Sequence, residues 1–186
     1  VDSTSQYNLI IWEKTPGATN LKSYKVYRDT ANNNYALIGT VSIDSLSQFA
    51  DTLRTLYAGD GNPNSSSWSY KLSSIDTCDN ESPLSLYHTS IHFRDLGNGN
   101  FDWTSYEIEG QSQPITQLVN HKVYRDSLSN GNWKLINSPG AASTTVTDAN
   151  YANYPNGRWR VDAVWTTSCT ATARVATGVN STKSNI

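Results

Sequence analysis

Apolar and polar residues alternate in short runs along this chain, and no stretch carries a convincing 3.6-residue stripe. Ile10 and Trp12 share one parity, as do Phe101 and Trp103. Tyr70 and Leu72 share another, as do Trp159, Val161 and Ala163. Period-two runs of this length predict half-buried β-strands. The stretches between them, TPGATN, DTANNN, GDGNPNSSS, GNGN, SLSNGN and NYPNG, are made of residues that favour turns and tolerate left-handed backbone. SIDSLSQFADTLRTLY (42–57) comes nearest to a helical pattern and could hold a helical turn.

The pentapeptide KVYRD occurs twice, at 25–29 and 122–126, and the match extends beyond it. LKSYKVYRDTANNNYALIG (21–39) parallels LVNHKVYRDSLSNGNWKLIN (118–137). Upstream, the surroundings of Trp12 parallel those of Trp103. Downstream, SYKLSSID (69–76) parallels RWRVDAVW (158–165), and each copy then carries one cysteine, Cys78 or Cys169. These landmarks keep their order at offsets of roughly ninety to a hundred residues, the size of one small β-sandwich. The chain therefore reads as a duplicated domain.

An aromatic in the second strand, SYKVYR in the third, and an aromatic-x-aliphatic sixth strand resemble the fibronectin type III pattern. More narrowly, DSLSQFADTLRTLY, SYKLSSIDTCDNESPLSLYHTSIH, YEIEGQ and SCTATARVATGVNSTKSNI resemble tandem modules of secreted or surface proteins of Bacteroidota. The resemblance implies an all-β chain of two tandem fibronectin type III (immunoglobulin-like) sandwiches. Residues 1–90 would form the first and 91–181 the second, with 182–186 starting a C-terminal linker. It also implies export by the type IX secretion system, hence an extracellular or cell-surface location. SIHFRDL (90–96) offers a first strand, strand A, to the second copy. Aligning Trp12 with Trp103 leaves the first copy without most of strand A, so its edge is expected to be open to strand addition, and to self-association by that route. The Asp-Ser/Thr-aliphatic motif for O-glycosylation in that phylum resembles DST, DTA, DSL, DTL and DSL here. Carried over, it makes Ser3, Thr30, Ser45, Thr52 and Ser127 candidate O-glycosylation sites, although Asp-Ser and Asp-Thr pairs also cap turns by themselves.

Composition narrows the function further. The net charge of −2 over 186 residues gives no basic field for nucleic acid. No apolar run approaches the ~20 residues of a spanning helix, so no membrane insertion is expected. The chain contains no Met and opens at Val1, which predicts a processed product or a piece of something longer. No GxSxG, HExxH or P-loop is present. His88 and His92, four apart on a predicted strand, make a poor ligand pair. No cofactor is expected. Structural calcium is the weaker alternative, because DGNPN (60–64), DTCDNE (76–81) and DLGNGNFD (95–102) cluster hard oxygen ligands, though the same residues are ordinary turn formers. Cys78 and Cys169 occupy equivalent loops a domain length apart and are expected not to pair with each other.

These readings predict a non-catalytic spacer or structural segment of a bacterial surface protein, fibre or adhesin. The main rival is a carbohydrate-binding accessory module of a secreted enzyme, with Tyr57, Trp68, Trp133, Tyr151, Tyr154 or Trp165 as stacking platforms. A third reading is a self-assembling filament subunit joined by strand addition. Fold alone does not choose among them.

Overall fold

The computed structural model describes residues 1–2, 4–14, 17, 19–52, 61–169 and 179–186. The strands of the first half are β1 (Asn8–Ile11), β2 (Leu21–Ala31), β3 (Asn34–Ser42), β4 (Gln48–Asp51), β5 (Ser69–Asp76) and β6 (His88–Thr89). Those of the second are β7 (Phe93–Asp95), β8 (Asn100–Trp103), β9 (Glu107–Ile108), β10 (Leu118–Asp126), β11 (Trp133–Asn137), β12 (Thr145–Thr147), β13 (Arg158–Cys169) and β14 (Val179–Lys183). They build four antiparallel sheets, β1-β4 and β3-β2-β5-β6-β9, then β12-β8-β7 and β11-β10-β13-β14. The chain is all-β, two sandwiches of the fibronectin type III kind.

Each pair of sheets closes over its own apolar cluster. Trp12, Tyr24, Val26, Ile38 and Tyr70 form the first. The second is larger, with Ile91, Phe93, Phe101, Trp103, Ile115, Leu118, Val123, Val146, Trp159, Val161 and Ala163. The repeated pentapeptide lies in the third strand of both copies, within β2 and at the end of β10. Its alternation turns Val26 and Arg28, and likewise Val123 and Arg125, into the sandwich, while Tyr27 and Tyr124 are only half-buried.

The two halves differ at the first strand. In the second, β7 covers β8, pairing Phe93 with Trp103 and Asp95 with Phe101. Phe93 stacks on Phe101 at 5.2 Å between ring centroids. Among the described residues of the first half, β1 pairs with β4 alone. Phe101 is 1% exposed, while its counterpart Ile10 stays half-buried, so the missing strand leaves a thinner lid. The described part of the segment nearest a helical pattern, 42–52, is a turn followed by β4, where Asn8↔Asp51 and Ile10↔Phe49 are paired, and 53–57 lie outside the described residues. Among the described residues a single 3-10 turn stands at Tyr151–Asn153. Among the described residues no helix is long and apolar enough to cross a membrane.

Candidate functional site

At one end of each sandwich lies a buried ion pair. Arg28 Nη1 donates to both carboxylate oxygens of Asp51, at 2.8 and 2.7 Å, with both side chains fully buried. Tyr70 Oη donates to the same carboxylate at 2.8 Å. The second copy repeats the arrangement. Arg125 Nη1 donates to Asp148 Oδ2 at 2.6 Å, and Trp159 Nε1 donates to that oxygen at 3.0 Å. The donor aromatic is the same strand position in each copy. Each guanidinium also lies over a ring, Arg28 over Trp68 at 5.6 Å and Arg125 over Tyr154 at 3.9 Å.

Gly61 seals the first pair. Its φ is +64°, and a Cβ there would sit 2.2 Å from Arg28 Nη1 and 2.4 Å from Asp51 Oδ2. Gly61→Ala is expected to cost about 2–4 kcal/mol, combining backbone strain with overpacking of the ion pair, readable in urea unfolding.

Three groups of the second sandwich titrate with one sign, while burial pushes Asp162 the other way. Burial works against the Asp148 carboxylate. Hydrogen bonds from Trp159, the Asn150 amide and Arg125, with the Arg125 charge, outweigh it and hold its pKa below the ordinary value. Asp126 behaves alike, with Arg158 and the Gly131 and Asn130 amides overcoming burial. His121, 1% exposed and packed 5.2 Å from Trp103, is lowered by burial, which favours its neutral form. In all three the unfolded chain binds protons at higher pH than the folded one. Their contributions are therefore present above the unfolded values and lost as pH falls. The melting temperature is expected to decline below about pH 8 through the Val1 amine, whose pKa burial lowers to about 6, further below about pH 6.5 through His121, and again below about pH 4 through Asp126 and Asp148. A melting temperature unchanged from pH 7 to pH 3 would contradict this.

The joint between the halves is the other built feature. β9, from the second half, extends the first sandwich's sheet, pairing His88↔Ile108 and Thr89↔Glu107 on β6. The Glu109 amide donates to Tyr87 O, and the Tyr87 amide donates to Glu109 Oε2 at 3.1 Å. Lys71 Nζ reaches the same carboxylate oxygen at 2.7 Å. The Lys71 and Tyr87 hydrogen bonds hold the Glu109 pKa below its usual range. His88 Nδ1 lies 2.7 Å from Tyr106 Oη, and His92 Nδ1 lies 3.0 Å from Pro63 O. The two histidines singled out in the sequence thus serve separate contacts of the joint. Ile186 N donates to Ser5 Oγ at 2.8 Å, a further tie between the halves.

The oxygen-rich loops spend their acceptors locally. Asp76 accepts from the amides of Cys78 and Asn80 and from Asn80 Nδ2. Asp79 pairs with Lys22, Glu81 with Lys25, and Asp102 with Arg94. Asn62 Oδ1 accepts the Asn64 amide, and Asp95 accepts from the Gly97 amide and Tyr151 Oη. Among the described residues no group of three or more His, Cys, Asp or Glu side chains gathers as a metal set requires. Asp60, Tyr57 and Ser3 lie outside the described residues.

The remaining aromatics of the stacking reading are engaged. Trp68 and Tyr154 lie beneath the buried arginines. Trp133 is covered by Arg160 at 4.4 Å and Arg158 at 5.7 Å. Tyr151 packs on Trp159 at 4.9 Å, and Trp165 on Tyr106 at 4.9 Å. Among the Asp-Ser/Thr positions, Ser45 and Thr52 are exposed. Thr30 is half-buried and donates its hydroxyl to Asn34 O, and half-buried Ser127 accepts from Arg125 Nε. Both cysteines are free, Cys78 exposed and Cys169 half-buried.

No protein-family model and no curated protein matches the chain. Among solved structures, the central fibronectin-III array of RIM-binding protein aligns with 95% of this chain and 93% of its own, at 11% identity and a TM-score of 0.30. The class rests on the sheets themselves: a tandem pair of immunoglobulin-like sandwiches of fibronectin type III kind.

Proposed function

We propose that this chain is a non-catalytic structural segment that holds its two sandwiches in a fixed relation, a spacer within an exported or cell-surface protein. The observation that carries this reading is the joint. A strand of the second half is built into the first half's sheet, and Lys71 and Glu109 clamp it in place. A flexible linker would leave the halves to move independently. The site chemistry points the same way, since the buried charges of Arg28, Asp51, Arg125 and Asp148 are spent on cross-sheet ion pairs rather than presented in a cleft. The extracellular placement, and Bacteroidota as the source, rest on the sequence resemblance.

Small-angle scattering tests the spacer reading. One arrangement of the two halves should describe the profile of the intact chain. Glu109→Gln is expected to broaden that distribution while lowering stability by less than about 1 kcal/mol, the scale of a part-exposed ion pair. A wild-type profile that already requires many arrangements would remove the reading.

The carbohydrate-binding rival is weakened by the packing of its rings, Trp133 beneath two arginines above all. A glycan array reports on it directly, and specific binding abolished by Trp133→Ala would reinstate it. Export carries its own test. Peptide mapping of the protein from its native host is expected to find hexose-type additions first on exposed Ser45 and Thr52, ahead of hydrogen-bonded Thr30 and Ser127. A bare mass would remove the glycosylation proposal.

A further inference from the structure

We infer that the outer edge of β3 is a self-association surface, pairing with the same strand of a second copy about a two-fold axis. Among the described residues β3 ends its sheet and bonds along one side only, to β2, with Ser23↔Ser42 at one end and Ala31↔Asn34 at the other. Its other side presents a row of backbone amides and carbonyls. Soluble proteins usually blunt such a row with charge, proline or a short strand. The second sandwich does so at the equivalent edge. β11 spans only Trp133–Asn137, has Lys134 within it, and is followed by Pro139. β3 is longer, Asn34–Ser42, and no Asp, Glu, Lys or Arg occurs anywhere from Thr30 to Ile43. Leu37, near its centre, is 43% exposed.

These features choose the occupant. In a two-fold antiparallel pair, residues equally far on either side of the axis face each other, so a charge near the axis would sit close to its own copy. A strand without charge carries no such penalty in any register. A second copy also arrives with its edge already ordered by β2, whereas a free peptide pays the entropy of becoming a strand. The one irregularity in the middle of β3 lies between the pairs Val26↔Gly39 and Tyr27↔Leu37, where Ile38 is the extra residue. Ile38 is buried in the core, so the bulge is fixed in both copies alike. The contact is one strand wide and falls below the roughly 1,200 Å² of a standard stable interface, so the dimer is expected to be weak, with Kd in about the high-micromolar to millimolar range.

Sedimentation equilibrium of the intact chain, in reducing agent so that exposed Cys78 forms no cross-link, tests this between about 10 µM and 1 mM. The average mass should climb from 20.5 kDa toward twice that value. Amide exchange along Asn34–Ser42 should slow over the same range. Thr40→Lys and Leu37→Lys, both at exposed positions flanking the middle of β3, place two like charges beside the two-fold axis of a pair centred on the strand. Each should hold the mass at the monomer value with an unchanged melting temperature. A monomer throughout the range overturns the proposal. So does a dimer that survives both substitutions in variants whose melts are wild-type, since the contact then lies elsewhere. If one lysine variant melts early, the other decides.

Discussion

Asp51→Ala should cost about 3–5 kcal/mol and leave the first sandwich largely unfolded at room temperature, because the fully buried charge of Arg28 would lose the carboxylate paired with it. That loss is comparable with the whole stability of a small domain. Tyr70 would lose its acceptor in the same stroke. Asp148→Ala should do the same to the second sandwich, where Arg125 and Trp159 lose theirs. The pair itself is a different matter from either partner alone. Replacing both charges with apolar residues of similar volume, Arg28→Met with Asp51→Leu, should recover most of the loss, since desolvation consumes much of what the ion pair contributes. Urea unfolding of the single and double variants reads both effects. If Asp51→Ala costs less than about 1 kcal/mol, the guanidinium reaches water and the buried constellation is not as described.

Trp103→Ala carries the second large effect, about 3–5 kcal/mol. The indole is 3% exposed and wedged between Phe93, 6.5 Å away between centroids, and His121, 5.2 Å away. Removing it would open a cavity bounded by strands that cannot collapse without breaking their ladders. Trp12→Ala should fall at the low end of that range, since Trp12 is 7% exposed and packs edge-on against Tyr24 with no strand A above it. The Nε1 atoms of both tryptophans are buried without a hydrogen-bond partner. Trp→Phe at either position therefore removes an unsatisfied donor along with some volume, and should cost less than half as much as Trp→Ala. Hydrogen exchange resolved by half tells which sandwich each variant opens. A loss of less than about 1 kcal/mol in Trp103→Ala would place that ring outside the core.

The architecture was legible wherever one physical signal dominated. Alternation around Ile10, Trp12, Phe101 and Trp103 marked strands, and the doubled landmarks marked two sandwiches. The alignment of Trp12 with Trp103 also located the absent first strand. The ion pairs were not read, although a signal was there. KVYRD serves there only as a marker of duplication. Yet Arg28 and Asp51 are 23 residues apart, and so are Arg125 and Asp148. An arginine and an aspartate kept at one separation in both copies identify the pair, because the third strand and the fifth meet at that end of the sandwich. The joint left no comparable trace. Glu107 and Ile108 make a strand of two residues whose partner is in the other half, and nothing in a local pattern of that length distinguishes it from a loop. The 3-10 turn at Tyr151–Asn153 is too short to show a period.

A spacer with β9 built into its first sheet turns as one body. Backbone 15N relaxation on the intact chain reads this directly. A single rotational diffusion tensor is expected for both halves, with the amides of His88, Thr89, Glu107 and Ile108 as ordered as the strands around them. Two separate tensors, or fast local motion confined to those four residues, would contradict it.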